Sequence, residues 1–176
     1  MNLLFRLIRT IILAFLGRRI DPMAGSVLHF RVLPFDMDPN IHLNNGRYLG
    51  IMDLGRLDLI IRAGFYRILL RQRWGLVMGG CLMRYRRQLG PFQRYRLVTR
   101  LIGWDERWLF VEHRFETRQG LHAIGLTKLI LMENGRSLPM PKALERLGYA
   151  QPSPPLPEGI HHWLAAEGEL TRTNTG

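Results

Sequence analysis

The sequence predicts an α+β domain in which an antiparallel five-stranded sheet wraps around one long central helix. Three observations carry this. Residues 46–63, "GRYLGIMDLGRLDLIIRA", have helical spacing and apolar side chains around most of the circumference, so other elements must enclose that helix. From Trp74 onward the pattern changes to alternating strands separated by short turns. A further strand-like run, "VLHFRVL" at 27–33, precedes the helix. One core in a chain of 176 residues then suits a single domain, at 26–150.

The segment before that domain is apolar but interrupted. "MNLLFRLIRTIILAFLGRRI" has Arg6 and Arg9 among its leucines and isoleucines, and its unbroken run, residues 10–17, falls short of the ~20 residues that a spanning helix needs. No small-residue cleavage pattern follows it. On a helix, Leu4, Ile8, Ile11 and Phe15 share a face that Leu7, Ile12 and Leu16 widen. Residues 1–20 therefore read as a helix lying in a membrane interface with snorkelling arginines, the alternative being a helix docked on the protein's own core. Asp21-Pro22 and Gly25 make a linker.

Next comes the strand at 27–33, then a polar stretch, then the central helix, with Asn44 or Asn45 as its cap and Gly64 as its stop. "WGLVMGGCLMRYRRQL" is a strand bent at Gly79-Gly80. "RYRLVTRLIGWD", "RWLFVEHRFET" and "LHAIGLTKLILME" follow, with turns at Asp105-Glu106 and Gln119-Gly120. Four consecutive strands so joined predict an antiparallel meander, and the strand at 27–33 completes the five. Residues 151–176 read as a proline-rich, mobile tail.

Composition narrows the partners. Twenty-five Lys+Arg against fourteen Asp+Glu give a net charge of +11, and only Lys128 and Lys142 are lysines. Such a surface favours anionic partners. The arginine bias reflects either genomic composition or bidentate recognition of phosphate. Nucleic acid is not the expected partner, because no recognised module is present and the tryptophans do not form a stacking platform. The single cysteine, Cys81, excludes an internal disulfide and any multi-cysteine metal cluster.

The chemistry concentrates in "FDMDPNIHLNNGRYL", residues 35–49. A loop entering a helix presents free backbone N–H groups, and the helix dipole adds positive potential there. Gly46 lets a ligand approach the backbone closely, which suits an oxygen gaining negative charge. Asp38, at a turn fixed by Pro39, can attack a carbonyl or deprotonate a water that does. The competing reading makes Asp-Pro a plain turn and the asparagines plain caps. Asp36 either raises the pKa of Asp38 or binds the loop backbone, and His42 is either an acid–base group or a backbone hydrogen-bonder.

These residues resemble a known family. "DMDPNIHLNNGRYL" resembles the Asp-x-Asp-x-x-Gly-His-Val-Asn-Asn-x-x-Tyr signature of hotdog-fold thioesterases of the 4-hydroxybenzoyl-CoA type. "YLGIMDLGRLDL" resembles the family's Tyr-Leu-x-x-x-Glu-x-x-Arg helix, and "MRYRRQLGPFQRYRLVTRLIGWDERWLFVEHRF" its Tyr-x-Arg-x-Leu strand and meander. "NGRSLPMP" resembles its closing turn, and the apolar N-terminus resembles a membrane-associated branch of thioesterase superfamily members. The resemblance implies a hotdog fold, dimers or dimers of dimers with active sites between subunits, and no metal or redox cofactor. It puts Asp38 in the place of the catalytic aspartate and the N–H groups of Asn45 and Gly46 in the carbonyl-polarising position. Asn44 and Asn45 match the paired asparagines. Asp53 stands in the place of the helical glutamate, which carries the essential carboxylate in some branches, and so is the second catalytic candidate, although Arg56 at i+3 can simply pair with it. Ile41 departs from the pattern, standing where the family has glycine.

The expected reaction is hydrolysis of an acyl-CoA or acyl-carrier-protein thioester, by a protein peripherally attached to the cytoplasmic side of a membrane. The alternative is a non-catalytic acyl-binding or membrane-scaffold protein of the same fold. The expected substrate-binding residues are His42, Asn44 and Tyr48, together with Arg84, Arg86 and Arg94 for the phosphates of coenzyme A, the alternative for the arginines being a solvated strand face. Strand alternation sends Arg84 and Arg86 to one side and Arg87 to the other.

Overall fold

The structure is a computed structural model that describes residues 2–173. Its central element is α2, Asn45–Ala63. Asn44 is the cap, its side chain accepting the Gly46 N–H, and Gly64 ends the helix at φ 83°, a left-handed conformation that glycine adopts freely. Tyr48, Ile51, Met52, Leu54 and Leu59 of α2 are buried. Most of them join one core cluster with Phe30, Tyr95, Leu97 and Phe115 from the sheet. At Gly55 a Cβ would lie 2.2 Å from the Thr99 hydroxyl, so glycine there lets the helix sit close against the strands.

The sheet consists of β1 (Ser26–Arg31), β2 (Gly75–Tyr85), β3 (Arg94–Trp104), β4 (Leu109–Thr117) and β5 (Gly120–Glu133), with the two-residue β6 (Arg136–Ser137) beside β5. The spatial order is β1-β3-β4-β5-β2, with every pairing antiparallel. The five strands and the enclosed helix match the sequence reading, and the register shift between Met78 and Gly80 matches the bend expected at Gly79-Gly80. The four-strand meander does not hold. Only β3, β4 and β5 run as one, and β2 lies at the far edge, paired with β5. The reason is the link over residues 86–93. It is too long for a tight turn, and it sends Leu89 into the core, where the Leu89 carbonyl accepts the Leu43 N–H.

Three further helices escape strand-and-turn reading. Short helices α3 (Tyr66–Gln72) and α4 (Met140–Arg146) bring Ile68, Leu69, Met140 and Leu144 to a second cluster around Trp74 and Trp104. Where the sequence reading expects a mobile tail, α5 occupies Glu158–Thr173 and buries Ile160 and Trp163 against Phe110. Lys128 lies 4.5 Å from the Trp108 ring and 5.6 Å from the Trp163 ring and pairs with Glu167, so a cation–π sandwich fastens α5 to the sheet.

The N-terminal helix α1, Asn2–Leu16, packs on α2. Its inward face is Arg6, Thr10 and Ala14, all buried. Arg6, expected to snorkel toward a surface, instead forms a buried ion pair with Asp36 at 2.6 Å. Leu4, Ile8, Ile12, Phe15 and Leu16 point outward and are exposed. Among the described residues no helix is long and apolar enough to cross a membrane.

Candidate active site

The loop before α2 is built by its own polar groups. Asp36 is buried; its Oδ2 accepts the Leu33 N–H at 3.0 Å and its carbonyl accepts the Asn44 N–H at 2.8 Å. Asp36 therefore organises the loop backbone, one of the two roles open to it in the sequence, and adds the ion pair with Arg6. A bridge between Met37 and Leu43 closes a narrow turn over residues 38–42. Inside it, the Asp38 N–H donates to the His42 carbonyl at 3.1 Å, and Asp38 Oδ1 accepts the Asn40 N–H at 2.9 Å. No hydrogen bond among the described residues engages Asp38 Oδ2.

A cleft of about 530 Å³ opens beside this turn. Asp38, His42, Asn45, Tyr48 and Arg86 line it, which brings together five residues singled out from the sequence. Asn40, Leu43, Tyr85, Arg87 and Gln88 complete its lining. The buried Nδ1 of His42 has no hydrogen-bond partner among the described residues. Burial, with a smaller contribution from Tyr85, pushes the Tyr48 hydroxyl up to about 12, so it stays protonated at neutral pH. Tyr85 stands against Tyr48 edge to face at 5.1 Å, and its hydroxyl reaches the Asn45 carbonyl at 3.5 Å. Tyr85 had a signal in the sequence: it shares the strand phase of Cys81 and Met83, which pack on the core.

The expected pair of carbonyl-polarising amides is corrected. The Gly46 N–H donates to Asn44 Oδ1 at 2.8 Å, and Gly46 lines a different, smaller pocket with Leu3, Arg6 and Gly50. The Arg47 N–H donates to the Asn44 carbonyl at 2.9 Å. Of these first-turn amides, the Asn45 N–H alone has no acceptor among the described residues, and Asn45 is the one that faces the cleft. Asn44 is consumed as the cap and does not line the cleft.

The arginine set also changes. Arg84 is exposed on β2 outside the cleft, and Arg94 lines a separate groove beside α1. Arg86 and Arg87 both line the cleft instead of facing opposite sides. The cause is local: β2 ends at Tyr85, and the N–H groups of Arg86 and Arg87 both donate to the His122 carbonyl, at 2.8 and 3.0 Å, which breaks the alternation. Arg87 also donates to the Gln119 carbonyl at 2.8 Å, whereas the Arg86 guanidinium has no partner among the described residues. Asp53 lies outside the cleft and pairs with Arg56, the structural role open to it from the i,i+3 spacing.

Residues 32–164 match the model of the Thioesterase-like superfamily. Protein THEM6 of Danio rerio is 31% identical over 162 residues, covering 89% of this chain and 78% of that protein. The probable thioesterase YBR096W of Saccharomyces cerevisiae is 29% identical over 119 residues, 65% of this chain and 51% of that protein. Among solved structures, a thioesterase from Thermus thermophilus complexed with coenzyme A and zinc superposes with a TM-score of 0.60 at 24% identity, over 76% of this chain and all of that one. The helix enclosed by the sheet is thus a hotdog fold, and the chain belongs to the Thioesterase-like superfamily.

Proposed function

We propose that this chain is a thioester hydrolase acting on an acyl-CoA. One observation carries the reading: a carboxylate with a free oxygen, Asp38, and the open first-turn amide of Asn45 share one cleft. The thioester carbonyl carbon lies between them. Asp38 removes a proton from a water as it attacks, and the Asn45 N–H, at the positive end of the α2 dipole, holds the oxygen that becomes negative. The tetrahedral species then collapses and the thiolate leaves. Arg86, with Arg87 beside it, meets the phosphates of the carrier, and His42 and the protonated Tyr48 hydroxyl orient the acyl end. Coenzyme A bound to a similar protein supports the choice of carrier over an acyl carrier protein.

The molecule acts as a homodimer in this reading. β2 is an open sheet edge with Val77, Met78 and Leu82 exposed along it, and it ends at Tyr85 in the cleft, so a second copy on β2 would complete the cleft wall. The outward apolar side of α1 supports peripheral attachment to a membrane, and the charge of +11 favours the anionic cytoplasmic leaflet.

Assay of the purified protein against acyl-CoAs of graded chain length, with an acyl carrier protein thioester in parallel, tests the reaction. Wild type turns over acyl-CoA, and Asp38→Asn loses at least ~100-fold in kcat with its fold intact. Activity per chain falls on dilution if the cleft needs a second copy. Acyl-CoA binding by wild type without hydrolysis would replace this reading with the non-catalytic acyl-binding one.

A further inference from the structure

A second concavity lies away from the cleft. A groove of about 960 Å³ runs between α1 and the ends of β1, β3 and β4. Its walls are strongly basic: Arg9 comes from α1, Arg31 from β1, Arg94 and Arg96 from β3, and Arg118 from just beyond β4. Arg96 is neutralised by Glu116, the one carboxylate in the walls, and Arg31 Nε donates to the Phe92 carbonyl. Arg9, Arg94 and Arg118 have no partner among the described residues. Tyr95 also lines the groove, and its buried hydroxyl has no hydrogen-bond partner among the described residues. Three unpaired guanidinium groups converging on one concavity fit a phosphate, which accepts their forked hydrogen bonds and offsets their mutual repulsion.

What lies next to the groove decides the source of that phosphate. Phe5 and Arg9, one turn apart on α1, form its lip, and Phe5 is 68% exposed. Leu4, Ile8, Ile12 and Phe15 continue from that lip as an exposed apolar stripe along α1. Arg6 and Thr10 of the helix are buried, Arg6 on Asp36, whereas most of its large apolar side chains face water. An aqueous metabolite would gain nothing from that stripe. A bilayer would cover it and present phosphates at the same level. We propose that the groove between α1 and the β1–β3–β4 ends is a binding site for the phosphate of an anionic phospholipid, engaged when the apolar side of α1 lies on the bilayer. The site rests on the membrane-attachment reading above and adds to it a lipid class and the residues that select it.

Co-sedimentation of the full chain with vesicles tests both. The vesicles are phosphatidylcholine alone, or phosphatidylcholine with 30% phosphatidylglycerol. Wild type is expected to bind both and to prefer the anionic vesicles. Arg9→Gln/Arg94→Gln/Arg118→Gln, checked for folding by circular dichroism, should lose on the order of 100-fold in affinity for the anionic vesicles and keep its affinity for neutral ones. Ile8→Ser/Ile12→Ser should lose binding to both. A triple variant that retained the anionic preference would overturn the groove and leave membrane attachment standing. Wild type that bound neither vesicle would overturn attachment and groove together. Release of wild type from anionic vesicles by millimolar inorganic phosphate at matched ionic strength would reassign the groove to a soluble phosphate. Binding of an acidic acyl carrier protein with no vesicle preference would reassign it to a protein partner.

Discussion

At φ 60° the backbone of Ile41 sets its Cβ against the following carbonyl, a conformation that costs an L-residue about 1–2 kcal/mol and a β-branched one in particular. The turn over residues 38–42 imposes it, because the Ile41 N–H donates to the Asp38 carbonyl at 2.9 Å while the Asp38 N–H reaches the His42 carbonyl. Glycine has no Cβ to oppose that conformation, although its freer unfolded chain takes back ~0.5–1 kcal/mol. The Ile41 side chain is exposed and buries little surface that could be lost. Ile41→Gly should therefore stabilise the fold slightly, raising Tm by about 1–3 °C. A lower Tm for that variant would mean that the turn depends on the isoleucine side chain. At this scale the site is legible in the sequence: Asp38, His42, Asn45, Tyr48 and Arg86 all stand out there and share the cleft. Which first-turn amide stays free is not legible, because that turns on Asn44 swinging its side chain onto the Gly46 N–H. Nor can alternation count through the end of β2, where two amides share one carbonyl and Arg87 joins Arg86.

Among the elements, α1 is the one whose amphipathic pattern is plain in the sequence and whose orientation is not. Periodicity gives a helix an apolar side and a polar side but does not say which faces the protein. Here Asp36, thirty residues on, decides it by drawing Arg6 inward through Nη1 and Nη2, with the Arg31 carbonyl as a third acceptor at 3.0 Å. The later helices are hidden for a related reason: α4 and α5 follow prolines, which read as loop, although Ile160, Trp163 and Leu164 keep helical spacing in α5. The buried pair makes α1 part of the fold and ties it to the loop that carries Asp38. Removing one partner strands a charge. Arg6→Met should cost about 3–5 kcal/mol in urea denaturation, because the buried carboxylate of Asp36 loses its counter-ion. Arg6→Met/Asp36→Asn should recover most of that, since asparagine is neutral and can still accept the Leu33 N–H. If the double variant is no more stable than the single one, α1 is held by its packing on α2 and not by the ion pair.

For the molecule as a whole, the helix and three strands meet at a buried polar knot. His113 of β4 is fully enclosed; its Nδ1 lies 3.2 Å from the Thr99 hydroxyl of β3, and its Nε2 lies 3.3 Å from the Thr127 hydroxyl of β5 and 3.5 Å from Arg56 Nη1 of α2. Arg56 can only donate, so Nε2 is the acceptor and the ring proton sits on Nδ1, toward Thr99. A second proton would have to enter at Nε2, facing a guanidinium, in a site closed to solvent. Burial first, and then the Arg56 charge, hold the His113 pKa well below its ordinary value of 6.5. In the unfolded chain the same imidazole titrates normally. Below pH 6.5 the unfolded state therefore binds a proton that the folded state refuses, and stability falls as pH falls, by up to ~1.4 kcal/mol per pH unit from this one group. Above pH 6.5 the histidine is neutral in both states and contributes no slope. Denaturation curves measured from pH 8 to pH 5 should be level at first and then decline, with the break near the unfolded pKa. In His113→Gln, which keeps polar atoms in the knot but does not titrate, that component of the decline should vanish even if overall stability is lower. A wild-type curve that stays level to pH 5 would mean that the knot accepts the proton, with Arg56 moving aside to admit it.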